Sequence, residues 1–334
     1  MRALVCRELG LFRDLRLEEI AAPPLGDDGV RIAVGYASLS YAINLMVAGQ
    51  YQQKIAPPFV PGKELSGLVT EVAPGVAGIV PGDRVVAIVD SGAFAQEVVA
   101  HSGKVFVLPP GVPLRTALPL PISYGSAYAA LHWRAGLQPG ETLLVHGATG
   151  GIGLAAVQIG RLCGARVIAA ASTAEKRRFL ESQGVEAVVP SSGFRDTVRA
   201  RTGGRGADVV FDPVGGASFD ESLRCIAPEG RVLVMGFASG AVPAIPANLL
   251  LVKDVTVMGF YFGRYTGGGA VDESAVHAPR LRAMMDELFR RTAAGQLRPV
   301  VDACFPLDRY VEAMDSLLAR QVTGKVALRI GPAD

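Results

Sequence analysis

The segment Leu143-Leu-Val-His-Gly-Ala-Thr-Gly-Gly-Ile-Gly153 constrains this chain more than any other, because it passes from an apolar strand through a glycine turn into a helix. Glycines at 150, 151 and 153 let the backbone turn tightly and approach a pyrophosphate closely. A helix starting near Ile152 aims its unbonded N–H groups and positive dipole end at the same point. The spacing departs from a strict G-x-G-x-x-G, since Gly147 and Gly150 enclose Ala148-Thr149 and Gly153 follows three residues later. The surroundings turn this glycine run into a binding motif. Apolar stretches at Thr142–His146, Arg166–Ala170, Ala187–Val189, Asp208–Asp212, Arg231–Gly236 and Val255–Phe260 alternate with amphipathic segments, the pattern of a parallel sheet covered by helices. Ser172-Thr-Ala-Glu175 reads as a capping box opening one of these helices, and Gly184 as its stop. Six strands with intervening helices predict a doubly wound α/β fold that binds a dinucleotide.

Which dinucleotide depends on the end of the second strand. An NAD site places an acidic residue there, about 20 positions after the glycines, to hold the ribose 2′-OH. From Leu154 to Ala174 there is no Asp or Glu, and Ala171-Ser172-Thr173 is followed by Lys176-Arg177-Arg178. Basic groups there suit a 2′-phosphate, so NADPH is the expected cofactor, with Ser172 and Lys176 as its 2′-phosphate contacts. At least one of the three basic residues belongs to the solvated face of the capped helix.

The first 121 residues have another texture. They hold 12 of the 22 prolines and short β-type runs such as Val30–Val34, Leu68–Val72 and Arg84–Val89, with Pro-Gly pairs at 61–62 and 81–82. Such punctuation predicts an all-β unit. After residue 278 the chain shows helices over Pro279–Ala294 and around Asp308–Arg320, then a strand at Lys325–Ile330. A net charge of +2 and no basic stripe argue against nucleic acid as a partner, and a charged fraction of 19% argues against disorder. No apolar run approaches the roughly 20 residues of a membrane span. Arg2, Arg7 and Glu8 occupy the place of a leader's apolar core, so the cytoplasm is the expected compartment. Cys6, Cys163, Cys225 and Cys304 are widely separated, and His101, His132, His146 and His277 lack i, i+4 spacing; neither a disulfide framework nor a metal site is expected.

Several further motifs occur in order: Gly49-Gln-Tyr51, Pro58-Phe-Val-Pro-Gly-Lys-Glu64, Gly82-Asp-Arg-Val85, Pro121-Ile-Ser-Tyr-Gly-Ser-Ala-Tyr128, Ala155-Ala-Val-Gln158, Asp208-Val-Val-Phe-Asp-Pro-Val-Gly215 and Thr323-Gly-Lys325. Together with the glycine loop they resemble the medium-chain dehydrogenase/reductase superfamily, in particular its zinc-independent quinone oxidoreductase branch related to zeta-crystallin. The resemblance implies an α/β protein with a GroES-like β-barrel catalytic and substrate domain at 1–121 and 262–334. A doubly wound six-stranded Rossmann domain at 122–261 would bind NADPH, usually in a homodimer. It further implies cofactor contacts at Tyr51, Ser123, Thr149, Gly150, Gly151, Ile152, Lys176, Gly236, Phe237, Ala238, Ser239, Gly259, Phe260 and Lys325, to which the glycine loop itself adds Gly153. Zinc-dependent relatives carry a ligand Cys near Leu39 and Gly-His-Glu where this chain has Gly62-Lys63-Glu64. The chain also departs from the zinc-free relatives, with Ser40-Tyr41-Ala42-Ile43 in place of Asn-Phe/Tyr-x-Asp and Ser191 in place of a second tyrosine.

Without a metal, a quinone or α,β-unsaturated carbonyl is the coherent small-molecule acceptor. Conjugation already spreads its developing negative charge, whereas an isolated ketone needs a Lewis acid. Candidates for the group that meets that charge are Tyr51, Tyr41, Asn44 and Lys63. The aromatics from Phe260 to Tyr265 suggest an apolar wall for a flat substrate. Reduction of enoyl-thioesters or alkenals is the alternative within the same chemistry; an NADPH-binding structural or RNA-binding role of zeta-crystallin type is the alternative outside it.

Overall fold

The computed structural model describes residues 1–331; residues 332–334, the end of the expected catalytic-domain range, lie outside the described residues. From the N-terminus run strands β1 (Arg2–Val5), β2 (Arg16–Glu19) and β3 (Gly29–Leu39), helix α1 (Tyr41–Val47), and strands β4 (Glu64–Val72), β5 (Arg84–Ile88), β6 (Glu97–His101) and β7 (Val105–Val107). An alternating series follows: β8 (Thr142–Val145), α2 (Gly151–Leu162), β9 (Arg166–Ala171), α3 (Ala174–Ser182), β10 (Ala187–Pro190), α4 (Arg195–Arg201), β11 (Ala207–Asp212), α5 (Ala217–Cys225), β12 (Ile226–Val234), α6 (Ala247–Lys253) and β13 (Thr256–Gly259). The tail adds α7 (Ser274–Ala293), β14 (Val301–Pro306), α8 (Tyr310–Leu318) and β15 (Lys325–Arg329).

The chain divides into two compact units, one made of Met1–Ile122 with the chain from Gly263 onward, the other of Ser123–Phe262. In the first, the strands order as β14-β15-β3-β4-β5-β7 with β6 also on β3, and β1 pairs with β2 separately. Every pairing in the larger sheet is antiparallel except β14 with β15. The core of this unit gathers residues from both sequence segments, including Leu4, Ile32, Leu65 and Phe94 from the first and Met314, Val326 and Leu328 from the last.

In the second unit the order is β10-β9-β8-β11-β12-β13, and all pairings are parallel. Every residue of β8 and β11 is buried, which is why their centres, Leu143–Val145 and Val209–Phe211, read in the sequence as apolar runs. The order reverses between β8 and β11, and at such a switch point the carboxyl ends of the strands open a crevice.

Three sequence expectations shift. Helix α3 is capped by Thr173, whose hydroxyl accepts from the Lys176 amide at 3.2 Å, not by Ser172. Either residue supplies a hydroxyl, so the pattern alone leaves the frame open by one position. Helix α7 begins at Ser274 and runs through Pro279, because the Asp272 carboxylate accepts from the Ser274 amide at 2.8 Å and starts the helix early. Strand β12 runs from Ile226 and ends at Val234, two residues short of the expected Gly236, and the chain turns there with Ala238 N–H bonded to the Pro213 carbonyl.

Candidate active site

The first cluster lies on the carboxyl edge of the parallel sheet. At the end of β8 the chain enters the glycine turn with Gly147 at φ +56°, a left-handed conformation that favours glycine. Gly153 is required for a different reason: a Cβ on it would sit 2.1 Å from the Gly147 carbonyl oxygen, so only glycine lets helix α2 start this close to the turn. Gly150 is the N-cap and carries no capping side chain. The first helical bond is Leu154 N–H to the Gly150 carbonyl at 2.8 Å, which places the amides of Gly151, Ile152 and Gly153 ahead of it, directed out of the helix end. Thr149 beside them is buried.

The other cofactor candidates of this unit follow neighbouring strands. Ser172 and Lys176 follow β9, Gly236 to Ser239 follow β12, and Gly259 and Phe260 lie at the end of β13, with Phe260 N–H bonded to the Val234 carbonyl at 3.1 Å. Because the strands are parallel, the fold brings these residues to one sheet edge. Ser123, buried, belongs to the helical turn Leu120–Tyr124. At the end of β9, Arg177 folds back so that its guanidinium donates to the Ala171 and Ser172 carbonyls at 3.4 and 3.1 Å. Arg177 thus closes the strand end while Lys176 and Arg178 stay on the helix.

Two supports of this edge went unread in the sequence. Asp212, buried at the end of β11, accepts from the Val214 and Gly215 amides at 2.8 and 2.9 Å and fixes the turn beside the glycine loop. His146, the residue just before the loop, is buried, with Nε2 2.7 Å from Ser222 Oγ. Ser222 donates its own proton to the Ser218 carbonyl at 2.7 Å, so His146 Nε2–H is the donor of the pair. Burial pushes the imidazole below its usual range, with Asp212 and Glu221 acting in the opposite sense. His146 is a neutral structural donor. Nothing in its sequence context distinguishes it from an ordinary strand residue.

The second cluster belongs to the first unit. Glu64, at the start of β4, is almost completely buried, and its carboxylate accepts from Lys325 Nζ at 2.8 Å, from the Ser38 hydroxyl and from the Ile122 amide at 3.0 Å. This is where the structure places Lys325: on β15, its ammonium paired with Glu64. The charge-assisted bonds satisfy the buried carboxylate. Ser38 and Glu64 were missed as functional supports, since the sequence shows only a polar residue in each of two strands.

Next to Glu64, Lys63 is half-buried. Its ammonium donates to the Gln53 carboxamide and lies 5.6 Å from the centroid of the Tyr51 ring. Burial pushes the Lys63 ammonium below its usual range, against a smaller opposing effect from Asp90. Tyr51 packs partly buried on the core, and its amide donates to the Leu45 carbonyl at 3.1 Å. The structure therefore joins Tyr51 with Lys63. Tyr41 and Asn44 are on α1, Tyr41 at its exposed first turn and Asn44 half-buried within it.

The donor set around Glu64 does not fit a zinc ion. Leu39 is apolar, Lys63 offers a cation, and the Glu64 oxygens are engaged by three donors. Among the described residues no three His, Cys, Asp or Glu side chains come together as a metal site would need.

Comparison with known proteins adds to this geometry. Residues 26–110 match the family model described as alcohol dehydrogenase GroES-like domain, and residues 151–275 match the one described as zinc-binding dehydrogenase. The chain is 37% identical over 333 residues to quinone oxidoreductase-like protein 2 of Rattus norvegicus, covering 98% of this chain and 92% of that protein. Among solved structures, the quinone oxidoreductase of Thermus thermophilus, determined also in complex with NADPH, superposes with a TM-score of 0.84 at 32% identity, covering 98% of this chain and 100% of the other. A mycobacterial protein solved in complex with NADPH superposes with a TM-score of 0.89 at 29% identity, again covering 98% and 100%.

Proposed function

Because the chain belongs to the quinone oxidoreductase branch of the medium-chain dehydrogenase/reductase superfamily and is an oxidoreductase, we propose that it reduces quinones or other conjugated carbonyl compounds with NADPH and without zinc. The observation that carries the cofactor assignment is the strand edge of the second unit. Three free helix amides follow Gly150, and a basic helix turn with no acidic partner for a ribose 2′-OH follows β9. Ser123–Phe262 would be the cofactor-binding domain, and the other unit the substrate domain.

When bound, the dihydronicotinamide supplies the hydride. The chain's own work is to hold the pyrophosphate on the amides of Gly151, Ile152 and Gly153, and the 2′-phosphate on Ser172 and Lys176. The turns at Gly236–Ser239 and Gly259–Phe260, with Ser123 and Thr149, would enclose the rest. For Lys325 we propose a supporting role through Glu64. The negative charge left on the reduced acceptor would be met by Lys63 beside the Tyr51 ring, with Tyr41 and Asn44 as further candidates and solvent able to deliver the final proton. The absence of zinc is supported by the donor set at Lys63 and Glu64, which repels a cation rather than ligating one.

The homodimer is part of the same proposal. Strand β13 is an edge of the six-stranded sheet, and α6 just before it exposes Leu251 at 83% and Val252 at 81%, apolar surface of the kind that self-association covers. No helix among the described residues is long and apolar enough to cross a membrane. A cytoplasmic location is proposed because all four cysteines are free thiols.

The test is a turnover screen that pairs NADPH and NADH with quinones, enals, enones and enoyl-thioesters. Quinone or enone reduction with NADPH well above NADH is the expected result. Rates on enoyl-thioesters far above those on quinones would move the assignment to that alternative, and tight NADPH binding with no turnover of any acceptor would overturn it.

A further inference from the structure

The half-buried ammonium of Lys63 has two uncharged neighbours, the Gln53 carboxamide and the face of the Tyr51 ring. Lys63 donates to a neutral partner, Gln53, while its sequence neighbour Glu64 pairs with Lys325 at 2.8 Å, and Asp90, whose charge favours the ammonium from beyond ion-pair distance, pairs with Lys104 at 3.6 Å. Among the described residues no carboxylate lies within 4.0 Å of the Lys63 ammonium. Removing a charge from water without a counter-charge is unfavourable, and burial accordingly pushes this ammonium below its usual range. The hydrogen bond to Gln53 uses one of the three ammonium donors and fixes its direction. The ammonium stands over the Tyr51 ring, 5.6 Å from its centroid, and that ring packs partly buried on the core.

An oriented ammonium next to an aromatic face recognises a planar molecule that carries a fixed anion. We propose that Lys63 selects acceptors bearing a negative charge of their own, a carboxylate, sulfonate or phosphate attached to the quinone or enone. This inference rests on the oxidoreductase assignment and adds a substrate class to it. A charge that develops only during reduction is common to every acceptor and is felt in kcat. A permanent anion is held in the ground state as well, so its recognition falls mainly on KM and only for charged acceptors.

The experiment compares 1,4-naphthoquinone with 1,4-naphthoquinone-2-sulfonate, using wild type, Lys63→Gln and Lys63→Arg with saturating NADPH. Differences in the intrinsic reactivity of the two quinones cancel when their kcat/KM ratio is compared between variants. Lys63→Gln is expected to lower the sulfonate-to-neutral ratio by about tenfold, the scale of one charge-assisted hydrogen bond, chiefly through KM for the sulfonate. Lys63→Arg is expected to restore most of the ratio. A second arm needs no turnover: binding of naphthalene-2-sulfonate and of naphthalene-2-sulfonamide to the NADPH-loaded protein, measured by calorimetry. The sulfonate should bind more tightly in wild type and lose that advantage in Lys63→Gln. If NADPH-dependent reduction of the neutral quinone is present and the ratio does not change in Lys63→Gln, the inference fails while the oxidoreductase assignment stands. If neither quinone is reduced, the quinone part of the proposed function fails, and equal sulfonate binding by wild type and Lys63→Gln then overturns the role of Lys63 as well.

Discussion

Replacing Lys325 by Met removes the ammonium from a carboxylate that cannot reach water. In the native fold the Glu64 side chain is 1% exposed and Lys325 8%, with 2.8 Å between Nζ and Oε1. After the substitution Glu64 keeps the Ser38 hydroxyl and the Ile122 amide but loses its only cationic neighbour among the ion pairs of the described residues. Breaking a buried pair from one side costs about 3–5 kcal/mol, because the remaining charge is left uncompensated. For a unit of this size that corresponds to a fall in Tm of roughly 6–20 °C. Glu64→Gln alone leaves Lys325 buried without its anion and should lose a similar amount. The double variant Glu64→Gln, Lys325→Met should recover most of the loss, because Gln accepts from Ile122 and donates to Ser38 without carrying charge. Thermal and urea unfolding of the four proteins, followed by circular dichroism, gives the coupling. A loss below about 1 kcal/mol for Lys325→Met, or losses that simply add in the double variant, would refute the reasoning. NADPH titration of the folded Lys325→Met protein separates its two roles: affinity near wild type assigns Lys325 to Glu64, and a loss of tenfold or more assigns it to the cofactor.

Two further outcomes bear on the cofactor site. Gly153→Ala forces a Cβ to within 2.1 Å of the Gly147 carbonyl oxygen, so helix α2 must shift; a loss of about 1–3 kcal/mol in stability should come with weakened NADPH binding in a fluorescence titration, and unchanged affinity would show that the α2 amides do not hold the phosphates. Lys176→Ala should weaken NADPH by about tenfold and NADH by less than about twofold, read from the same titration with both cofactors; equal losses contradict a 2′-phosphate contact.

What the sequence revealed and what it hid divide along physical lines. Leu143–Val145 and Val209–Phe211 were legible as strands because helices cover both faces of a parallel sheet, so every position is apolar. The glycine loop was legible because its demands are local: a left-handed Gly147 and a Gly153 with no room for a Cβ. Helix α1 was hidden, since Tyr41–Val47 is too short for its periodicity to stand out from a strand. The start of α7 was hidden because its N-cap position, Glu273, carries no capping side chain, and the Asp272 carboxylate that holds the Ser274 amide ends a glycine-rich stretch that reads as loop. The Ser38–Glu64–Lys325 network lay beyond reach for another reason. Its members come from opposite ends of the chain, and a polar residue in a strand looks the same whether its partner is water or a buried ion. The Lys63–Gln53 contact is closer in sequence but depends on the turn between α1 and β4, which carries no periodic signal.

The central claim is hydride transfer from NADPH to a conjugated acceptor without zinc. It is tested most directly by the steady-state rate of NADPH-dependent quinone reduction, measured before and after prolonged chelation, with zinc content determined on the same samples. An unchanged rate and no stoichiometric zinc are the expected results. Loss of activity on chelation with recovery on adding zinc would contradict the claim, and would mean that the Lys63–Glu64 region rearranges to expose ligands that Lys325 and Ser38 now hold.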